Sequence, residues 1–228
     1  VYGDAVTAPE APAKEGYTFA GWQNKPETMP AHDIEVVGSY TVNKYALIYK
    51  VDGEEYKKVE VDFGTTLTPE PNPVKEGYTF SGWQGLPETM PAHDVEVTGT
   101  FSINSYKAVF KIGDDVIDTK TIVYGDAVTA PEAPAKEGYT FAGWQNKPET
   151  MPAHDIEVVG SYSVNKYALT YKVDGEEYKK VEVDFGTTIT PEADPVKEGY
   201  TFSGWQGLPE TMPAHDVEVT GTFSINSY

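Results

Sequence analysis

Four histidines, His32, His93, His154 and His215, sit in the same string, Met-Pro-Ala-His-Asp, so each is followed directly by an aspartate. A His–Asp pair can ligate a metal or orient a catalytic base. A metal centre needs three or four converging ligands, and a triad needs a nucleophile within hydrogen-bond reach of the imidazole. No cysteine and no second histidine accompany any of the four, so the expected role is local capping and hydrogen bonding of the loop. Four tryptophans, Trp22, Trp83, Trp144 and Trp205, offer a second chemistry. Exposed indoles stack on sugar rings, so the four could form a ladder of glycan platforms; Trp is equally the largest anchor for a small core. Strand parity leaves both readings open. Trp22 falls opposite Tyr17 and Phe19 unless a bulge at Gly21 returns it to their face.

The remaining candidates are weaker. Asp52-Gly53-Glu54-Glu55 has too few oxygen ligands at alternating spacing for calcium and reads as a solvated hairpin turn. Pro9-x-x-Pro12 fits the minimal ligand pattern of SH3-type modules, but it lacks an Arg and is read as a stiff connector. There is no glycine-rich phosphate loop and no GxSxG. No catalytic residue, metal ligand or cofactor is assigned.

The equal spacing of these residues comes from a repeat. EGYTFxGW occurs four times, its Trp always 61 residues from the next, and residues 1–106 return as 123–228 with 101 of 106 positions identical. Only Thr41/Ser163, Ile48/Thr170, Leu67/Ile189, Pro71/Ala193 and Asn72/Asp194 differ. The units therefore run A-B-A-B, with expected boundaries 1–43 (A, lacking its first part), 44–104 (B), 105–165 (A) and 166–228 (B). An array has no unique centre at which to assemble one active site. Comparing A with B over Lys14–Asn43 and Lys75–Asn104, 21 of 30 positions match, and most exchanges keep shape. Tyr40/Phe101 implies that the ring packs and the hydroxyl is dispensable.

Composition narrows the partners. The net charge is −19 and all 17 basic residues are Lys, so the basic footprint and the Arg that nucleic-acid readers use are both absent. An anionic membrane surface fits no better. No apolar stretch is long enough to span a bilayer, and no signal peptide is visible. Val1 matches Val123 in mid-unit, so the chain reads as a piece of a longer protein. With no Cys, a unit of this size must rely on its dense aromatics, 16 Tyr, 9 Phe and 4 Trp. These, with Val and Thr, favour a mainly β fold.

Within the unit 105–165 the alternation of Tyr106–Ile112 predicts a strand, Gly113-Asp114 a type II′ turn, and Val116–Tyr124 the returning strand. In the B unit Asp52-Gly53 predicts type I′. The proline-rich Thr129–Glu137 reads as a connector crossing the sheet. Tyr139–Trp144 is the third strand, bulged at Gly143. Gln145–Asp155 is a turn-rich loop with one helical turn at Met-Pro-Ala-His-Asp, and Ile156–Tyr162 is the fourth strand. Units join through Ser163-Val164-Asn165 with no flexible tether. Strands of about ten residues rising about 3.3 Å each predict an elongated rod on the order of 120–150 Å.

The pairing of EGYTFxGW with MPAHDVEVTGTF resembles the Listeria–Bacteroides repeat, of which the internalin B-repeat is one member, and the resemblance covers all four units. It implies a tandem array of small β-grasp-like modules of about four strands each, found in strings on secreted and cell-wall-anchored bacterial proteins. It supplies no catalytic residues. The loop after the Trp is shorter here than in many members.

The expected function is therefore a non-enzymatic, extracellular stalk or spacer at a bacterial cell surface or wall, whose nearly identical halves let recombination change its length. A multivalent adhesin binding host glycan or matrix protein weakly at each unit is the alternative. A strand-exchanging surface filament is a third reading, suggested by the missing hairpin of the first unit.

Overall fold

The computed structural model describes residues 1–227, which hold sixteen strands and no helix. The chain divides into two compact units, Val1–Asn104 and one beginning at Ser105. The first contains β1 (Tyr17–Gln23), β2 (Val37–Val42), β3 (Lys44–Val51), β4 (Glu54–Asp62), β5 (Tyr78–Phe80), β6 (Val95–Gly99) and β7 (Phe101–Ile103). The second contains β8 (Ser105–Ile112), β9 (Asp115–Val123), β10 (Tyr139–Gln145), β11 (Ile156–Val164), β12 (Lys166–Val173), β13 (Glu176–Asp184), β14 (Tyr200–Phe202), β15 (Val217–Gly221) and β16 (Phe223–Ile225).

Residues 105–165 show the repeat complete. Their sheet has the order β10-β11-β8-β9. The hairpin β8–β9 is antiparallel, β11 lies parallel to β8, and β10 closes the other edge antiparallel to β11. The hairpin turns follow their residues. Asp52 and Gly53 both have positive φ, 51° and 89°, as type I′ requires, whereas at the A turn only Gly113 is positive, at 62°. The bulge also forms: the register shifts between Phe141 and Gly143, whose φ is 105°. It turns Trp144 onto the face that carries Tyr139 and Phe141.

One face of each sheet is covered. Ala108, Phe110 and Val158 alternate onto it and pack with Val128, just ahead of the connector, and Met151 from the loop, all five nearly fully buried. The B repeats use Leu47, Tyr49, Met90, Val95 and Val97, or Leu169, Tyr171, Met212 and Val219. In residues 1–43 β2 pairs only with β1, and Val36, counterpart of the fully buried Val158, lines a cavity of about 210 Å³ beside Trp22.

The B repeats depart from a four-stranded sheet. Their last strand is split: β6 pairs with β3, and β7 pairs with the short β5. At the split, Ser81 stands where A has Ala142 and Thr100 where A has Ser161. The Ser81 hydroxyl accepts the Thr100 N–H at 2.9 Å while the Ser81 N–H donates to the Thr100 carbonyl at 2.9 Å, so a side chain interrupts the ladder.

Burial also gives the B repeats an alkaline limit. Desolvation pushes the Tyr49 and Tyr171 phenols above their usual 10.0, so the folded state resists losing those protons. Folded-state values above the unfolded one mean stability that is full below pH 10 and falls as pH rises beyond it. The complete A repeat has Phe110 at this place. Thermal melts above pH 10 are expected to lose B-repeat stability first, and Tyr49→Phe with Tyr171→Phe is expected to remove that difference.

Candidate functional site

The Met-Pro-Ala-His-Asp segment makes bends and no helical turn, because its main chain is already committed. Met151 N–H donates to Asp126 and its carbonyl accepts from Gly125, 2.8 and 2.9 Å, pinning the loop across the start of the connector. The Met side chains plug the cores, Met90, Met151 and Met212 each being about 1% exposed. The aspartate, not the histidine, carries the tertiary contact. Asp94 Oδ1 accepts the Ala46 N–H at 2.8 Å, Asp155 Oδ1 that of Lys107 at 2.7 Å, and Asp216 Oδ1 that of Ala168 at 2.9 Å. Each caps the first strand of its own repeat.

His32, His93, His154 and His215 are exposed. His93 Nδ1–H and His215 Nδ1–H donate to the carbonyls of Asp94 and Asp216, 2.8 Å in both cases. Among the described residues no three His, Asp or Glu converge as a metal would require. Asp94→Ala strands the N–H of Ala46, itself only 3% exposed, and is expected to cost about 1–3 kcal/mol in chemical denaturation. His93→Ala is expected to cost much less.

Trp22, Trp83, Trp144 and Trp205 are half-buried. Their N–H groups donate to connector carbonyls: Pro9 (3.1 Å), Glu70 (2.9 Å), Pro131 (3.0 Å) and Glu192 (2.8 Å). Their rings meet the preceding Phe edge to face, Trp144 to Phe141 at 5.2 Å, and Trp83, Trp144 and Trp205 meet a first-strand aromatic likewise, Trp144 to Phe110 at 5.3 Å and Trp83 to Tyr49 at 4.9 Å. The indole thus ties the connector to the sheet and leaves part of its ring to solvent. In the A repeats Tyr40 and Tyr162 add a second tie, their hydroxyls donating to the carbonyls of Pro12 and Pro134. The hydroxyl that Phe101 lacks is therefore used in A. The carbonyls of Pro9 and Pro12 are both engaged with their own sheet.

The hairpin turns differ in chemistry as well as shape. Asp52 is more than a solvated turn residue: its N–H donates to Gly99 at 3.0 Å and its Oδ1 accepts the Phe101 N–H at 2.9 Å. Asp174 repeats both bonds with Gly221 and Phe223, each at 3.0 Å. At the A turn the equivalent residue is Gly113. There a cavity of about 570 Å³ opens among the hairpin, the connector and β11, with Lys136, Tyr139 and Tyr162 on its wall.

A small sheet copied along the chain, with an aromatic layer in each copy, defines a tandem-repeat β protein. The chain belongs to the Listeria-Bacteroides repeat domain family, whose model matches residues 1–39, 45–89, 106–158 and 167–211. Among curated relatives, a putative Gly-rich membrane protein of Evansella cellulosilytica is 26% identical over 226 residues, covering 84% of this chain and 26% of that protein. A putative membrane protein of the same organism is 27% identical, covering 90% of this chain and 36% of that protein. Internalin H of Listeria monocytogenes is 32% identical over 174 residues, covering 65% of this chain and 30% of that protein. The chain thus spans about a quarter to a third of these relatives. A solved pair of SHIRT domains from a streptococcal cell surface protein aligns with 54% of this chain and 99% of its own, at 18% identity and a TM-score of 0.25.

Proposed function

We propose that this chain is a non-enzymatic spacer within the extracellular repeat region of a bacterial cell-surface protein, with 1–43, 44–104, 105–165 and 166–228 as its repeats. The observation that carries this is the joint inside each compact unit. One residue, Asn43, separates β2 from β3, and Asn165 alone separates β11 from β12. The Asn43 N–H donates to Gly16 at 2.8 Å, its carbonyl accepts from Phe63 at 2.9 Å, and its Oδ1 accepts from Thr18 at 2.6 Å. A joint built this way adds a repeat without adding slack. The membrane proteins and the internalin among the relatives support a surface location, and the sheet order, with a central parallel pair, supports a β-grasp-like module whose helix is replaced by the connector. The test displays a terminal tag on cells through four repeats or two. Access of a bulky antibody is expected to fall with the shorter version, and equal access would overturn the spacer.

The half-exposed indoles support a second reading, a multivalent adhesin for host glycan or matrix protein. Dense immobilisation on a panel of both is expected to give no signal for a pure spacer. A signal that drops steeply from four repeats to two would replace it with the adhesin.

A further inference from the structure

We propose that the cavity at the hairpin tip of the complete A repeat is a binding site for a sugar acid, read through the carboxylate. The proposal is independent of the spacer role. It starts from a strand that outruns its neighbour. The last rung between β11 and β8 joins Gly160 to Ile112, and β11 then continues to Val164 beside β10 alone. Asn165 N–H bonds the Gly138 carbonyl. Counting back in twos along an antiparallel ladder, Ser163 faces β10 and Tyr162 faces away from it. The Tyr162 N–H therefore opens toward the space past the hairpin tip.

The B repeats show what that space holds when filled. The equivalent N–H groups, Phe101 and Phe223, each donate to a carboxylate oxygen, Asp52 and Asp174, at 2.9 and 3.0 Å. The A turn offers Gly113 instead, which has no side chain to reach the Tyr162 N–H. By that equivalence the place beside the Tyr162 N–H suits one carboxylate oxygen. Lys136 provides the counter-charge, its Nζ held 4.2 Å from the Tyr139 ring centroid and 5.5 Å from that of Tyr162. Asp115 is the opposing charge on the rim. The space of about 570 Å³ far exceeds a carboxylate and is walled by aromatic rings and Ile117, which suits a ring-shaped body with one polar and one apolar face. A saccharide carrying a carboxylate meets all three features.

The test follows amide shifts by NMR in the full ¹⁵N-labelled chain during titration with glucuronate, with glucose and an Asp-containing tripeptide as comparators. A saturable shift of the Tyr162 N–H with glucuronate, absent with glucose, is expected. Replacing the A turn by the B turn, Gly113→Asp with Asp114→Gly, is expected to abolish it while preserving the fold, because both B repeats carry Asp-Gly at this turn. Lys136→Gln is expected to weaken binding at least about tenfold. No shift at Tyr162, or an equal shift in the turn exchange, would overturn the site. A response to the tripeptide but not to glucuronate would overturn the saccharide.

Discussion

Gly138→Ala is expected to destabilise the second compact unit by about 2–6 kcal/mol, the sum of left-handed strain and overpacking. Gly138 has φ +74°, and a Cβ built on it would lie 2.1 Å from Cδ1 of Phe185. Phe185 comes from the following repeat, beyond the end of β13, and stacks edge to face on Tyr139 at 5.9 Å. The substitution therefore strikes the joint more than either core. Differential scanning calorimetry is expected to show one cooperative transition for 105–228 splitting into two, because repeats that lose their contact unfold separately. A single transition at an unchanged temperature would show that the joint does not couple them. Gly16→Ala, against Phe63 with the same 2.1 Å approach, is expected to do the same in the first unit.

The second large effect lies at Trp144. Truncation to Ala removes two edge-to-face contacts and leaves the Pro131 carbonyl without its donor. A loss of about 3–5 kcal/mol is expected, close to the whole stability of a module this small. Trp144→Phe keeps a ring but not the N–H and is expected to cost about 1–3 kcal/mol. Equilibrium urea unfolding followed by tyrosine fluorescence and circular dichroism checks both. A neutral Trp144→Ala would mean that the indole is held for something other than packing, and would shift weight to the adhesin.

What the residues announce in advance divides by range. The two hairpin turns were legible because Gly-Asp and Asp-Gly impose different signs of φ locally, and the bulge because Gly143 stands before a Trp of the wrong parity. The four strands of the A repeat begin and end within two residues of expectation for the same reason. The parallel pairing of β8 with β11 was not legible, since nothing in Ile156–Gly160 marks the direction of its partner 48 residues earlier. The Met-Pro-Ala-His-Asp loop misled because its composition suits a helical turn, while the long-range bonds of Met151 to Gly125 and Asp126 commit its main chain elsewhere. Its Met and Asp were overlooked beside the more reactive His. A Met at one fixed place in a chain with four in total was the available signal. The split strand of B hung on the Ser81 hydroxyl, whose consequence depends on which backbone group lies opposite.

The parallel placement of the first and last strands of the repeat decides how it bears tension. A pull applied through the chain enters the A repeat at the start of β8 and leaves at the end of β11. Because the two strands run side by side in the same direction, from Ala108 against Ile156 to Ile112 against Gly160, their outer ends are dragged oppositely along a common ladder. The rungs are loaded in shear, all at once, and cannot open one after another as in a peeled hairpin. The outer strands β9 and β10 flank that loaded pair, antiparallel to β8 and β11 respectively. The complete A repeat thus resists extension with its whole parallel ladder at once, whereas residues 1–43, where β2 pairs only with β1, offer no such ladder to a pull.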